Sequence, residues 1–201
     1  KHALESGVVD TVLVTTDDKN IAETALKAGA EVPFMRPKNL SEDLSTTEET
    51  IRHALLTYES LKSKKYEICV FLTATNIFRQ PKWIREAVEI LKSNLDLESV
   101  FSGHETHKNY WEKNKEGKWE RICSWMSEYS SRQTKKTIVR EDTGLVCASR
   151  AYLWREGRRI GDRVEVIINN DDLTGIDIHN EEDLKLAQAA LNIRKDINEL
   201  L

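Results

Sequence analysis

Apolar positions along the chain fall into two rhythms, short continuous runs and longer stripes at helical spacing. Val12-Leu13-Val14 is a run that opens into Thr15-Thr16-Asp17-Asp18, which predicts a buried strand ending in a polar loop. Asp17 or Asp18 then stands where a helix cap belongs. Ile21, Ala22, Ala25, Leu26 and Ala28 supply that helix's stripe, and Gly29 marks its C-terminal end. Glu31 to Met35 reads as a second short strand, with Pro33 arguing for an edge or irregular position. Ser45-Thr46-Thr47-Glu48 has the form of a capping box and predicts a helix to about Leu61, with Ile51, Ala54, Leu55 and Tyr58 on one face. Tyr66 to Leu72 is the most strand-like segment and reads as a central strand covered on both faces. Pro81 suits the first turn of a helix whose stripe is Ile84, Ala87, Val88 and Leu91, and Ser99 to Ser102 is a further short strand.

Between His104 and Arg140 the rhythm is lost. The stretch is polar and lysine-rich, yet it holds Trp111, Trp119 and Trp125 together with Tyr110 and Tyr129. Large aromatics on a segment without its own core predict either packing against another subunit or a β-hairpin lying on the parent domain. The α/β pattern resumes with a strand at Leu145 to Ser149, a basic stretch at Arg155, Arg158 and Arg159, and a strand at Val164 to Ile168. Ile176-Asp177-Ile178 reads as a very short strand. Asn180 caps a terminal helix in which Leu184, Leu186, Ala187, Ala190, Leu191 and Ile197 are expected to face inward. Strand-helix-strand order of this kind is the grammar of an α/β domain with a parallel sheet.

Composition narrows the class. With 201 residues, 39% hydrophobic and 32% charged, the chain is one ordinary domain, too apolar for a disordered segment. No apolar run approaches the roughly 20 residues of a membrane span. Lys and Arg total 30 against 34 Asp and Glu, a formal charge of −4 that argues against a nucleic-acid binder. Cys69, Cys123 and Cys147 are odd in number and form no ligand cluster, so they read as reduced thiols of a cytoplasmic protein.

Four segments combine: VLVTTDD (12–18), IAETALKAGAEVPFMRP (21–37), LSEDLSTTE (40–48) and GIDIHNEEDLKLAQAAL (175–191). Their order and spacing resemble the acylneuraminate cytidylyltransferase family, enzymes that make CMP-sialic acid and related CMP-activated nine-carbon sugars. The resemblance implies a Rossmann-like nucleotidyltransferase fold with a mostly parallel sheet. It also implies a nucleotidyltransferase domain over 1–103 and 141–201 and a small dimerisation excursion over 104–140 on the sugar side.

Position by position, the resemblance implies a nucleotide site at Arg36, whose guanidinium suits a base edge or a phosphate; the plain alternative is an arginine tying down a loop. Ser45, Thr46 and Thr47 would lie against the cytosine, where a helix N-terminus offers free N–H groups, with capping as the alternative. The loop Thr73-Ala74-Thr75-Asn76-Ile77-Phe78-Arg79 stands where the family carries a Gln-Pro-Thr-Ser-Pro-Leu-Arg type of loop near the sugar. Thr75 and Arg79 match it. Thr73 replaces a Gln that contacts the sugar in sialic acid enzymes, which argues against N-acetylneuraminate itself as the acceptor; a related sugar nucleotidyltransferase for a Kdo-, pseudaminic- or legionaminic-type acid is the alternative. Arg132 and Gln133 match a pair in the family's excursion that reaches towards a partner's active site. Arg140-Glu141-Asp142-Thr143-Gly144 replaces an Arg-x-Asn-Gly loop and is one residue longer; Gly144 fits the close backbone approach.

The family's Asp-x-Asp metal pair becomes Asp177 and His179 here. Mg²⁺ prefers oxygen, so Asp177 is the expected ligand for Mg²⁺ (or Mn²⁺), while His179 could instead meet phosphate, orient a water or be structural. Asp171, Asp172 and Asp183 are nearby carboxylates, the last placed as a first-turn helix charge. The implied reaction transfers CMP from CTP to an acidic sugar and releases pyrophosphate, with CTP and the sugar as partners of a cytoplasmic homodimer that binds neither membrane nor nucleic acid. The family's glycine-rich phosphate loop would precede residue 1, and Lys1 to Gly7 reads as the tail of a helix begun elsewhere. These 201 residues alone are therefore expected to be inactive, and a non-catalytic dimer-forming remnant is the other reading.

Overall fold

The run from Tyr66 to Leu72 forms strand β1 (Ile68–Phe71), and alternation sends its side chains into two different cores. Ile68, Val70 and Leu72 pack on one side against helix α4 (Pro81–Ser93) through Trp83, Ile84, Ala87, Val88 and Leu91. Cys69 and Phe71 pack on the other against helix α3 (Thr47–Lys62) and the short helix α5 (Ala151–Arg155). Both faces are covered, as the sequence implies. The computed structural model describes residues 1–42, 45–131 and 133–200, and side chains as far as Arg194; Arg132 lies outside them.

The sheet is built around strand β2 (Ser99–Thr106). Strand β7 (Val164–Asn169) lies parallel along one edge of it. Strands β5 (Ile138–Glu141) and β6 (Cys147–Arg150) both run antiparallel along the opposite edge, and β1 pairs antiparallel outside β6. The mostly parallel sheet is thus corrected: among the described residues only the β2–β7 ladder is parallel. The reason is topological, because the chain leaves β2, makes its excursion and returns along the same edge in the opposite sense. β1 is also an edge strand of this sheet rather than a central one.

β5 and β6 are the two halves of one interrupted strand. Glu141 pairs with Gly103 and Cys147 with Phe101, so residues 142–146 all stand opposite Ser102. Asp142 donates its N–H to Ser102 O at 2.9 Å and Ser102 donates back to Val146 O at 3.0 Å. Bulges of this kind bend strands and re-aim side chains. Thr73 donates its N–H to Gly144 O at 2.9 Å, which ties the bulge to the end of β1.

The flanking elements follow their local signals with some shifts. Helix α2 (Lys19–Lys27) is capped by Asp18, whose carboxylate accepts from Asn20 N and Ile21 N, but only Ala22 of its stripe is buried. Helix α3 is capped by Thr46 with Glu49, one residue later than the Ser45–Glu48 reading. The two strands expected at 12–14 and 31–35 reduce to one parallel bridge, Leu13 with Glu31. Pro33, without an N–H, cannot extend it. Ile176–Ile178 is not a strand; it follows a 3₁₀ turn (Asp172–Gly175) as extended chain, with Ile176 and Ile178 packed towards Phe78. Helix α6 (Glu181–Leu200) is capped by Asn180, which accepts from Glu182 N and Asp183 N. Of the residues expected to face inward, Ala187 and Ala190 are buried while Leu184, Leu186 and Leu191 are exposed, because only the narrow alanine face meets Phe78; Ile197 lies outside the described side chains.

The excursion carries a separate two-stranded hairpin, β3 (Trp111–Lys113) with β4 (Trp119–Arg121). Met126 is its buried anchor, while Trp111, Trp119 and Tyr129 stay exposed. Among the described residues no helix is long and apolar enough to cross a membrane.

A buried ion pair joins α3 to α5. Glu59 accepts from Arg155 Nη2 at 2.7 Å, Lys65 Nζ at 2.6 Å and Tyr66 N at 3.0 Å, and the Arg155 hydrogen bond does most to lower its carboxyl to about 2. Glu59→Gln should lower unfolding free energy by about 2–3 kcal/mol at pH 7, the low end for a broken buried pair because both cations are partly exposed. A folded value below the ordinary 4.5 means this stabilisation is complete above that pH and fades as pH falls towards 2. Urea unfolding at pH 7 and pH 3 should show the difference between variant and parent shrinking in acid. A Cβ at Gly144 would lie 2.0 Å from Asn76 Oδ1 and 2.8 Å from Thr73 Oγ1. Gly144→Ala should therefore cost about 1–3 kcal/mol by overpacking, read as a lowered thermal midpoint.

Candidate functional site

A cleft of about 410 Å³ opens where the bulge, the end of β1 and the 3₁₀ turn meet. Phe71, Thr73 and Asn76 form its floor. Arg140 to Gly144 make one wall, Thr174, Gly175 and Asp177 continue it, and Thr47 and Arg159 stand across the opening.

The bulge wall is fixed from behind by Arg79. Its Nη2 donates to Thr73 O at 2.7 Å and Gly144 O at 2.6 Å, and its Nε donates to Leu145 O. Burial lowers this guanidinium to about 10. The same wall is fixed from within the sheet by Asn169, which is buried at the end of β7. Its Nδ2 donates to Ser102 Oγ at 2.9 Å, its Oδ1 accepts from Thr174 Oγ1 at 2.9 Å, and His104 Nδ1 lies 3.2 Å from that same Oδ1. These bonds hold the 3₁₀ turn, and with it Asp177, against the sheet.

The charged groups of the wall differ in how far they are already used. Arg140 meets Asp142 through Nε–Oδ1 at 2.7 Å and Nη2–Oδ2 at 3.0 Å, a fork that occupies both. Asp171 is held by Arg194 at 2.6 and 2.9 Å, and Asp183 accepts from the N–H groups of His179 and Asn180 at the start of α6. Asp177 is different. Its Oδ2 lies 3.0 Å from His179 Nε2, and its Oδ1 is buried with no hydrogen-bond partner. Such an atom is costly unless something completes it.

Four of the sequence-derived residues come together here: Thr47, Thr73, Gly144 and Asp177 line the cleft. His179 joins them through Asp177. Thr46 is the cap of α3 and Thr47 the next residue, so neighbouring hydroxyls divide capping from cleft lining. Arg36 is elsewhere, with Nη2 2.8 Å from Asp17 Oδ1 and Nε 3.0 Å from Ser41 Oγ, an arrangement that ties two loops together. Ser45 Oγ donates to Asn39 O at 3.1 Å, and Thr75 O accepts from Ile178 N at 3.3 Å. Arg79 sits behind the cleft on backbone carbonyls. Gln133 is exposed in a turn of the excursion. Cleft residues outside the sequence-derived set include Asn76, Arg140, Asp142, Thr174 and Arg159. The basic stretch at 155–159 was the visible signal for the last, but nothing local separates a cleft arginine from Arg155, which serves Glu59.

A family model described as Cytidylyltransferase matches residues 1–197. A pseudaminic acid cytidylyltransferase of Campylobacter jejuni is 33% identical over 106 residues, 49% of this chain and 45% of that protein. A CMP-N,N'-diacetyllegionaminic acid synthase of Legionella pneumophila is 36% identical over 90 residues, 45% of this chain and 38% of that protein. The matched stretches thus span less than half the length of these curated relatives. A solved structure of CMP:2-keto-3-deoxy-manno-octonic acid synthetase complexed with CTP shares the fold, with a TM-score of 0.64 and 13% identity over 96% of this chain and 85% of that one. With a family match that runs from the first residue to within a few of the last, the chain belongs to the cytidylyltransferase family.

Proposed function

We propose that the full-length polypeptide transfers CMP from CTP to an acidic nine-carbon sugar of the sialic, pseudaminic or legionaminic type, releasing pyrophosphate. The observation that carries this reading is the unpartnered, buried Asp177 Oδ1 in a polar cleft of a cytidylyltransferase-family chain. In this reaction the sugar's anomeric hydroxyl oxygen bonds to the α-phosphorus of CTP and the bridging oxygen to the β-phosphorus leaves with pyrophosphate. One proton is released to solvent.

The chain's own residues act by positioning and by charge. Gly144 lets the bulge approach the floor closely, Thr47 and Asn76 offer polar edges, and His179 holds Asp177 through Oδ2 so that Oδ1 keeps its aim. The relatives' names support an acidic sugar as acceptor. Thr73 Oγ1 donates to Asn76 Oδ1 at 2.6 Å, so the threonine that replaces glutamine is engaged within the wall.

Mg²⁺ fits this site in one way. Asp177 Oδ1 is a hard oxygen with no partner, whereas the described residues contain no group of three His, Cys, Asp or Glu that would cage a metal. A cation held by one carboxylate together with substrate phosphates and water is normal for Mg²⁺. When bound it would neutralise charge on the triphosphate oxygens. His179, paired with Asp177, would orient that carboxylate rather than bind the ion.

On the same reading the protein is a cytoplasmic homodimer in which the exposed aromatics of the β3–β4 hairpin and the segment after it meet a second copy. Trp119 is 64% exposed and Tyr129 78%, large aromatic areas for a protein surface. Trp119→Lys should raise the dimer dissociation constant, measured by sedimentation equilibrium; an unchanged constant would remove the hairpin from the interface. For the reaction itself, pyrophosphate release from CTP with Mg²⁺ should be measured against pseudaminic, N,N'-diacetyllegionaminic, N-acetylneuraminic and Kdo acids. Turnover is expected with at least one, and Asp177→Asn should reduce it by roughly 100-fold or more. Failure with every acid would refute the transfer reaction.

A further inference from the structure

The basic stretch between α5 and β7 contains three arginines with three different fates. Arg155 is bound to Glu59, and Arg158 Nη2 lies 2.9 Å from Asp162 Oδ2 on the surface. Arg159 alone of the three lines the cleft. Its guanidinium lies over the Phe71 ring at 5.1 Å from the centroid, and its Nε is buried with no hydrogen-bond partner. The nearest carboxylate oxygens, Glu48 Oε1 at 3.7 Å from Nε and Glu141 Oε1 at 3.8 Å from Nη2, stand beyond hydrogen-bond distance.

The segment that presents this side chain is anchored at its backbone. Ser149 Oγ donates to Arg159 O at 2.6 Å, Gly161 N donates to Ser99 Oγ at 3.0 Å, and those two serine hydroxyls lie 2.8 Å apart. A Cβ at Gly161 would lie 2.4 Å from Glu98 Cβ, so the chain there runs hard against β2. Phe71 lies against the guanidinium, and the side chain it supports lines the cleft. The other cleft guanidinium, Arg140, is closed by Asp142.

We infer that Arg159, the cleft arginine with no hydrogen-bonded carboxylate, receives an oxyanion of the substrates on its guanidinium, either the sugar's carboxylate or a phosphate of the nucleotide. The planar fork of arginine matches carboxylate and phosphate geometry, and a bond to a charged partner is the strong kind. Glu48 and Glu141 are partly exposed and stand off the guanidinium, so they keep the cation in place between turnovers and yield to a ligand that hydrogen-bonds it directly. Asp177 lines the same cleft and has one carboxylate oxygen, Oδ1, without a hydrogen-bond partner, so a cationic and an anionic side chain both border the space in which the substrates would meet. This inference rests on the reading of the cleft as a nucleotidyl-transfer site.

The test compares Arg159→Met and Arg159→Lys with the unsubstituted full-length protein, by steady-state pyrophosphate release and by calorimetric titration with CTP and with each acid of the panel. Loss of a charge-assisted fork should raise KM for the acid by roughly 10- to 100-fold with kcat nearly unchanged, and Arg159→Lys should recover only part of it. A rise in KM for CTP instead identifies the phosphate as the oxyanion. Both KM values within roughly twofold of the parent, at equal thermal midpoint, overturn the assignment. Where the methionine variant does not fold, the lysine variant decides by the same criteria. If the unsubstituted protein turns over no acid, the transfer reaction fails, and titration then judges Arg159 separately. Weaker binding of CTP or acid to the methionine variant upholds the inference; equal binding to both proteins, or binding to neither, overturns it.

Discussion

Everything that shapes the cleft depends on one buried guanidinium. Arg79 meets no carboxylate among the described residues; it is neutralised by the dipoles of three carbonyls, those of Thr73, Gly144 and Leu145. Two belong to the bulge and one to the end of β1, so a single planar group fixes how far the bulge stands off the floor. A buried charge is tolerated only when its donors are satisfied, and here the satisfying groups are backbone atoms that would otherwise need partners themselves. The requirement is mutual. The bulge leaves carbonyls unpaired by interrupting the β5–β6 strand opposite Ser102, and the arginine from the following loop takes them up. Desolvation lowers Arg79 to about 10, which leaves the clamp charged at neutral pH.

A second polar cluster extends this rigidity across the sheet. Asn169 is buried at the end of β7 and is bonded to Ser102 of β2 and to Thr174 of the 3₁₀ turn. Asp142 at the bulge is occupied by Arg140, and Asp171 by Arg194. Structural demands therefore consume most of the charged groups near the opening. Among the described residues that line the cleft, the buried side-chain atoms left without a hydrogen bond are Asp177 Oδ1 and Arg159 Nε. Groups held in place by a satisfied framework can act on charge without reorganising, which is the condition for electrostatic assistance to a transfer of phosphorus.

The sequence made the helices legible because their signals are local. The hydroxyl run at Ser45 to Thr47 with its following glutamates places the start of α3 to within one residue, and Pro81 and Asn180 place those of α4 and α6. β1 was legible because a run covered on both faces has no polar positions to obscure it. The sheet's direction was not. Nothing in the rhythm of Leu145 to Ser149 says whether that strand runs with or against Ser99 to Ser102, and the aromatic excursion between them decides it. The alternation at Ile176-Asp177-Ile178 correctly separates a packed side from a cleft side, although no ladder forms there and the segment is extended chain. Asp177 and Gly144 were visible as motif positions. Arg159 was not, because its neighbours Phe71, Glu48 and Glu141 come from three distant elements.

The same distance argument bears on specificity. Thr73 sits where a longer amide side chain would reach out from the floor, and its hydroxyl is turned to Asn76 instead of to the opening. Gly144 leaves no room for any side chain above that pair, since a Cβ would collide with Asn76 Oδ1. The floor is therefore low and already bonded to itself, and on the proposed reading it would offer little by which one polyhydroxyl acid is told from another. Discrimination must fall on the walls, where the bulge, the 3₁₀ turn and the Arg159 segment converge from different parts of the chain. On the proposed reading, such a cleft would fix the charged ends of its substrates and leave the middle of the sugar to shape.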